Sequence, residues 1–221
     1  NNPHLIMSYK ACLFDLDGVL VDTAIYHFQA WKMLGENFNY QLTEEQNEQL
    51  KGVSRVESLN RILDWASYSA TDEQKEIWLK EKNDNYLHLI SNMNPSEILP
   101  GVVDFLGQIK AEGYKIALGS ASKNAEIILE KTGLMPWFDL IIDGNKVSKS
   151  KPDPEVFLKG AEGLGLSPLD CIVFEDAQAG VEAAKRGGMK VIGIGEADVL
   201  TEADKVIQNF IGIKSADLLL F

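Results

Sequence analysis

Two aspartates, Asp15 and Asp17, stand at the end of a short apolar run and directly before Gly18. The run from Tyr9 to Phe14 is typical of a buried strand in a parallel sheet. In open α/β sheets, ligands bind at the carboxyl ends of the strands, which is where this acid pair would lie. Neighbouring carboxylates repel one another, and a hard cation such as Mg²⁺ relieves that repulsion. The alternative is a solvated acidic turn that has no chemical role.

Three more groups of polar residues follow later apolar runs. The stretch 120–124 begins with Ser120 at the start of a helix-like segment, where unpaired N–H groups attract anions. Lys151 precedes a helix that starts with proline, and Glu175 and Asp176 close another strand-like run. Each group also has a plain structural reading, as a serine helix cap, a solvated lysine or a capping acid. Together they could bind one Mg²⁺ between two acid pairs and steady a phosphoryl group with a hydroxyl and a lysine.

Composition excludes several classes of function. The 221 residues are 45% hydrophobic and carry a net charge of −12, so no basic patch suits a nucleic-acid partner, and an anionic substrate needs a local cationic site. No apolar run reaches the length of about 18 residues that a membrane span needs, and residues 1–6 lack the pattern of a signal peptide. Cys12 and Cys171 lie in apolar runs, which predicts buried reduced thiols and a cytoplasmic protein. The absence of coiled-coil heptads favours a monomer.

The chain divides into a helical block and an alternating block. Residues 24–94 show helix-type periodicity and no strand, which predicts an inserted helical domain. From residue 95, strand-like and helix-like segments alternate, which predicts βαβ units and a parallel sheet. The expected fold is α/β, with a Rossmann-like core of residues 1–23 and 95–221 and a helical cap of residues 24–94, joined by two hinge connections. The predicted strands are Tyr9–Phe14, Lys115–Gly119, Leu140–Ile142, Cys171–Phe174 and Lys190–Ile194, and the predicted helices are Tyr26–Leu34, Glu44–Leu50, Val56–Trp65, Asp72–Ile90, Val102–Ala111, Asn124–Lys131, Pro154–Leu164 and Ala177–Arg186.

The polar groups match a known set of motifs. Residues 15–23 have the pattern DxDGxxxDT, Ser120 follows the second strand, Lys151 precedes Pro-Asp-Pro, and Glu175-Asp176 closes a later strand. In order and spacing this set resembles the four motifs of the haloacid dehalogenase (HAD) superfamily of phosphotransferases. The resemblance implies a HAD-like core, Mg²⁺ as cofactor and a first aspartate that attacks phosphorus. Gly119 departs from the family, where alanine is common, and this glycine could loosen the strand tip.

The insert is similar to that of the β-phosphoglucomutases, a group of phosphomutases within this superfamily. The similarity rests on His27 and Trp31, on the turn 50–55, on the run 82–86 and, in the sheet domain, on the run 120–124. It implies contacts with a sugar phosphate, although each of these residues could instead be a surface or packing residue, and Trp31 is equally suited to the core. The implied substrate-binding residues are Thr23, His27, Trp31, Lys51, Gly52, Val53, Ser54, Arg55, Lys82, Ala121, Ser122, Lys123 and Asn124.

The resemblance also implies a role for each catalytic residue. Asp15 is the nucleophile, Asp17 the general acid and base, and Ser120 and Lys151 steady the transferring phosphoryl group. The implied metal ligands are the carboxylate of Asp15, the backbone carbonyl of Asp17, and Asp176, with Glu175 completing or tuning the set.

The implied reaction is an isomerisation of β-D-glucose 1-phosphate to glucose 6-phosphate. It runs through an aspartyl-phosphate and a bound β-glucose 1,6-bisphosphate, with Arg55 clamping the distal phosphate. Three alternatives remain open at the level of sequence. They are a sugar-phosphate phosphatase with the same nucleophile, a non-catalytic phosphoacceptor switch, and a silent sugar-phosphate binder.

Overall fold

The computed structural model describes residues 9–221, so the prediction about a signal peptide in residues 1–6 lies outside it. Six parallel strands form one sheet in the order β3-β2-β1-β4-β5-β6. The predicted α/β class with a parallel sheet is confirmed. The strands are β1 (Ala11–Phe14), β2 (Lys115–Gly119), β3 (Leu140–Ile142), β4 (Cys171–Glu175), β5 (Lys190–Ile194) and β6 (Lys205–Ile207).

The insert that follows β1 contains four α-helices, which are α1 (Ala24–Gly35), α2 (Glu44–Gln49), α3 (Arg55–Trp65) and α4 (Asp72–Ile90). The hydroxyls of Thr43, Ser54 and Thr71 accept the N–H three residues on, so α2, α3 and α4 begin at side-chain caps. The helices that follow are α5 (Val102–Ala111), α6 (Ala125–Thr132), α7 (Glu155–Gly163), α8 (Gln178–Arg186) and α9 (Ser215–Leu218).

Three apolar clusters hold these elements together. Side chains alternate along β1, so Cys12 and Phe14 pack on one face of the sheet, and Ala11 and Leu13 pack on the other. The insert has a cluster of its own, which includes Trp31, Leu34, Leu59, Ile62 and Trp78. A separate core inside the insert is what a second folding unit requires.

Two connections join the insert to the sheet, and they pair with each other. The N–H of Leu99 donates to the carbonyl of Leu20 over 2.8 Å, and Val21 forms an antiparallel bridge with Ile98. The two connections therefore lie side by side, directly beyond the carboxyl end of β1, where the acids are. Paired element ends of this kind can act as one hinge.

The structure differs from the sequence predictions at a few places. β1 begins at Ala11 rather than Tyr9, and Glu175 belongs to β4 instead of following it. β6 and α9 were not predicted, because each has only three or four residues and little apolar pattern. Cys12 and Cys171 are buried free thiols, as predicted. Within residues 9–221, no helix combines the length and the apolar character that crossing a bilayer needs.

Candidate active site

A cavity of about 650 Å³ lies between the carboxyl ends of the central strands and the insert. Both parts of the chain contribute polar side chains to it, so it is the natural place for a ligand. It brings together all but one of the predicted site residues, namely Asp15, Asp17, His27, Trp31, Lys51, Gly52, Val53, Ser54, Arg55, Lys82, Ser120, Ala121, Ser122, Lys123, Asn124, Lys151, Glu175 and Asp176.

Three carboxylates converge at the base of this cavity. Asp15, Glu175 and Asp176 each offer one oxygen, and these oxygens lie within 4.8 Å of one another. The register of β1 and β4 explains the meeting, because Phe14 pairs with Phe174 and the next residue of each strand is an acid. Such a set of hard oxygen donors suits Mg²⁺.

Glycine is required at position 18 by the same cluster. Gly18 has φ of +76°, and a Cβ there would collide with the carboxylate of Asp176. The backbone after β1 therefore turns tightly enough for the second acid pair to pack directly on it.

Lys151 is a cation of the protein that forms ion pairs with two of these acids. Its Nζ lies 3.1 Å from Asp15 Oδ1 and 2.9 Å from Glu175 Oε2, and it donates to the carbonyl of Gly119 over 3.1 Å. Burial alone would lower the pKa of Lys151, but the two carboxylates raise it above its ordinary value. The lysine thus stays charged while its side chain is only 9% exposed.

The acids themselves are held in an unfavourable environment. Burial, and then repulsion from Asp15, raises the pKa of Glu175 to about 7, although Lys151 opposes this. The pKa of Asp176 is raised for the same two reasons, with Glu175 adding to the repulsion. Buried carboxylates that repel one another and have raised pKa values are typical of a site that binds a further cation.

Asp17 has a different position from the other acids. Its carboxylate is not part of the cluster and accepts a hydrogen bond from the hydroxyl of Thr23. Burial and the charge of Asp15 raise the pKa of Asp17 to about 6, while the bond from Thr23 opposes that rise. A carboxyl group that titrates near neutral pH can both give and take a proton.

Thr23 itself is fully buried and does not line the cavity. In this structure it contacts Asp17, so a direct contact with the sugar stays a prediction for this residue.

The loop after β2 is ordered by its own hydroxyls. Ser120, which is 2% exposed, accepts the N–H of Ser122 over 3.1 Å, and Ser122 accepts the N–H of Asn124 over 3.1 Å. Each hydroxyl keeps its own hydrogen, which it can donate to an anion in the cavity. Lys123 extends from the same loop and is exposed.

Gly119 does not leave a gap at the end of β2. The ring of Phe157, which is fully buried, lies where a side chain at position 119 would go, 2.8 Å from an ideal Cβ. The expectation of a loosened strand tip is therefore replaced by tight packing of α7 on β2.

The insert contributes a buried lysine. Lys82 is 3% exposed, although α4 carries mainly polar residues, and its Nζ lies 2.9 Å from His27 Nδ1. The same ammonium lies 4.7 Å from the ring centres of both Trp31 and Tyr86. Burial lowers the pKa of Lys82 to about 7, with repulsion from Arg55 acting in the same direction.

This contact bears on Trp31 and His27. Trp31 is 3% exposed, and its ring faces Lys82, so stacking of Trp31 on a sugar remains a prediction. The ring of His27 stacks on Tyr86 at 4.1 Å, and burial lowers its pKa well below the ordinary value. The lowered pKa favours the neutral form of His27, and a neutral ring that carries its hydrogen on Nε2 can accept a hydrogen bond from Lys82 Nζ at Nδ1.

The turn 51–55 presents cations from the insert. Gly52 has φ of +75°, and Ser54 caps α3 by accepting the N–H of Glu57 over 3.2 Å. Arg55 is the first residue of α3, partly buried, while Lys51 is exposed and pairs with Glu48 at 2.9 Å. Lys51 and Arg55 line the same cavity as Lys123, which lies on the sheet side.

The predicted site residues leave out six polar residues that line the cavity: Asp22, Asn47, Ser58, Ser148, Lys149 and Ser150. Asn47 and Ser58 are buried, and Asn47 donates to the carbonyl of Ala24 over 3.4 Å. Ser58 lies three residues after Arg55 on α3, so the helical repeat was a signal that could have found it.

The sequence model of the haloacid dehalogenase-like hydrolases matches residues 9–188. The chain belongs to this family. Among individual proteins, it is 43% identical to a β-phosphoglucomutase of Bacillus subtilis over 202 residues, which is 90% of this chain and 89% of the relative. The resemblance to β-phosphoglucomutases is thereby confirmed.

Two further relatives frame the comparison. A crystal structure of β-phosphoglucomutase from Clostridium difficile superposes with a TM-score of 0.89 at 40% identity, covering 95% of each chain. A phosphorylated carbohydrates phosphatase of Thermotoga maritima is 31% identical over 185 residues, which is 83% of each protein. Relatives therefore include both a mutase and a phosphatase.

Proposed function

We propose that this protein converts β-D-glucose 1-phosphate to glucose 6-phosphate by two phosphoryl transfers through Asp15. The observation that carries the proposal is the make-up of the cavity. The nucleophile candidate lies at its base, and cations from the insert and from the sheet loop line the same space. In a chain with a net charge of −12, such a group of cations is suited to a ligand with two phosphates.

Asp15 is the proposed nucleophile. One of its carboxylate oxygens attacks phosphorus, the bond from phosphorus to the sugar oxygen breaks, and Asp17 gives its proton to that oxygen. In the reverse sense, a sugar hydroxyl attacks the aspartyl-phosphate, Asp17 takes the hydroxyl proton, and the Asp15 carboxylate is released. A pKa of about 6 for Asp17 suits it to both directions.

The proposed cycle uses these two steps in turn. The phosphorylated enzyme passes its phosphoryl group to the 6-hydroxyl of β-glucose 1-phosphate, which gives β-glucose 1,6-bisphosphate. After the bisphosphate has turned around, Asp15 takes the phosphoryl group from position 1. Glucose 6-phosphate leaves, and the aspartyl-phosphate is restored for the next cycle.

The acid cluster fits Mg²⁺ as the cofactor, with Asp15, Asp176 and the backbone carbonyl of Asp17 as proposed ligands and Glu175 beside them. When bound, Mg²⁺ would offset the charge of the carboxylates and of the phosphoryl oxygens. Lys151 and Ser120 are proposed to hold the transferring group by its oxygens.

Residues 24–94 are the proposed cap, which closes over the sugar phosphate. Arg55, with a bidentate guanidinium, is proposed to clamp the distal phosphate together with Ser122, Lys123 and Asn124. His27 and Lys82 are proposed to position the sugar and Asp17 once the cap is closed. The closed cap thereby keeps water away from the aspartyl-phosphate. A mutase needs this exclusion of water, and a phosphatase does not.

The second candidate is a sugar-phosphate phosphatase, and the identity to the Thermotoga maritima phosphatase favours it. Both candidates share Asp15, but water is the acceptor in the phosphatase. The proposed enzyme works as a monomer in the cytoplasm on a small-molecule substrate, without nucleic-acid or membrane partners.

Phosphorus NMR separates the two candidates. The protein is mixed with Mg²⁺, β-glucose 1-phosphate and a trace of the bisphosphate, and the phosphorus signals are followed with time. Glucose 6-phosphate should accumulate, whereas accumulation of inorganic phosphate alone would establish the phosphatase. The variant Asp15→Asn should produce neither, and turnover by that variant would contradict the assignment of the nucleophile.

A further inference from the structure

One hydrogen bond crosses the cleft away from the hinge. Asn124 Nδ2 donates to Asn83 Oδ1 over 3.2 Å, and it joins α4 of the insert to the loop after β2. Within residues 9–221, the other hydrogen bonds that involve a side chain and join the insert to the rest of the chain end on Asp22, Ser96 and Glu97, all beside the two connections. The bond between Asn83 and Asn124 therefore joins the insert to the sheet side outside the two connections, where it can resist opening.

The side chain of Asn124 bonds to the insert instead of capping the helix that begins beside it. Asn124 is the N-cap residue of α6, yet its side chain makes no capping bond. The carboxamide has two N–H hydrogens, and Asn83 engages only one of them. Asn83 thus orients this donor while leaving a second hydrogen for an anion bound at the loop.

Asn83 also follows Lys82 directly along α4. Lys82 is buried against His27, so its side chain lies on the inner side of the same helical turn. A bond that fixes position 83 against the sheet loop also fixes the depth at which Lys82 enters the cavity.

We propose that Asn83 is a positioning residue that latches the helical insert to the phosphate-binding loop through Asn124, and so retains the sugar bisphosphate while it turns around. The proposal rests on the proposed mutase function for its consequence, but the latch itself is a property of the free protein. A latch within the protein is needed because neither phosphate has its full set of contacts while the bisphosphate turns, so the ligand cannot hold the insert closed. A protein-to-protein bond at the mouth supplies closure during that interval.

The first test measures the fate of the ligand. Loss of one neutral hydrogen bond should favour the open form by about 2- to 12-fold. Asn83→Ala should therefore raise the ratio of inorganic phosphate to glucose 6-phosphate by that factor, and it should raise the bisphosphate concentration needed for half-maximal rate. Asn85→Ala is the matched control, because Asn85 lies on the same helix and makes no side-chain hydrogen bond among the described residues.

A pair of variants identifies the partner. In an Asn124→Ala background, Asn83→Ala should have no further effect on the product ratio, because the bond is already lost. An equal effect of Asn83→Ala in both backgrounds would overturn the latch, and so would a product ratio for Asn83→Ala that matches the wild type.

The second test does not depend on turnover. Hydrogen exchange of the amides in the loop 120–124 is measured in the ligand-free protein, and Asn83→Ala should accelerate it by about 2- to 12-fold relative to Asn85→Ala. Equal exchange in the two variants would refute the latch even if the enzyme proved to be a phosphatase. Faster exchange together with phosphate as the sole product would instead support the latch and reject the mutase function.

Discussion

The stability of the metal-free protein should fall as the pH rises through the range in which Glu175 loses its proton. Burial and the nearby Asp15 raise the pKa of Glu175 from 4.5 to about 7. The folded protein then binds this proton more tightly than the unfolded chain does. Between pH 4.5 and 7 the free energy of unfolding therefore decreases as the pH increases.

The size of this effect follows from the shift. At 1.36 kcal/mol for each pH unit, the rise from 4.5 to about 7 corresponds to about 3 kcal/mol. Asp17 and Asp176 have raised pKa values as well, so they contribute in the same direction. The substitution Glu175→Gln isolates one group, because it removes the titration and keeps the shape of the side chain.

The assay is urea unfolding at pH 4.5, 5.5, 6.5 and 7.5, in EDTA and in Mg²⁺. In EDTA the wild type should lose about 3 kcal/mol more than Glu175→Gln across this range. The exposed Glu162→Gln serves as control and should keep the wild-type slope. In Mg²⁺ the fall should be largely absent, because binding to the ionised acids offsets their repulsion. Equal slopes for the wild type and Glu175→Gln in EDTA would refute the account of the acid cluster.

Three further outcomes test other parts of the structure. Arg55→Ala should lower kcat/KM for the mutase reaction by about 10- to 100-fold, the effect of a charge-assisted contact, and leave hydrolysis of p-nitrophenyl phosphate within about twofold; equal losses would exclude a distal-phosphate clamp. Gly119→Ala should cost about 1–3 kcal/mol in urea unfolding, because the buried ring of Phe157 has no room to move, and unchanged stability would contradict that packing. Glu155 accepts the N–H groups of Ser148 and Lys149, and these bonds lower the pKa of its carboxyl group from 4.5 to about 2. The stability that the Glu155 carboxylate contributes should therefore be fully present above pH 4.5 and be lost as the pH falls toward 2. Glu155→Gln lacks this contribution, so parallel acid unfolding curves for the variant and the wild type would contradict it.

The sheet could be predicted from the sequence because its central strands are short, apolar and followed by polar residues. β1 and β4 carry an acid at or directly beyond their carboxyl ends, and parallel pairing must bring those ends together. β6 escaped prediction, since Lys205–Ile207 has only three partly exposed residues and forms by pairing with the edge of β5. Tertiary contact rather than local pattern makes that strand.

The insert shows the limit of reasoning along the chain. Lys82 looks like one surface lysine among many on a polar helix, and only the rings of Trp31 and Tyr86 explain its burial. Asn83 and Asn124 are 41 residues apart in the sequence, and an asparagine side chain gives no indication of which residue it will bind. Contacts across the cleft depend on how two units dock, which no local spacing encodes.

Thr23 has two duties that are usually given to separate residues. Its carbonyl accepts the N–H groups of Tyr26 and His27 at the start of α1, and its hydroxyl holds Asp17. The first helix of the insert and Asp17, the proposed general acid and base, therefore share one anchor. Swinging the helix outward must disturb Asp17, and under the proposed mechanism an open molecule would then transfer its phosphoryl group to water only slowly.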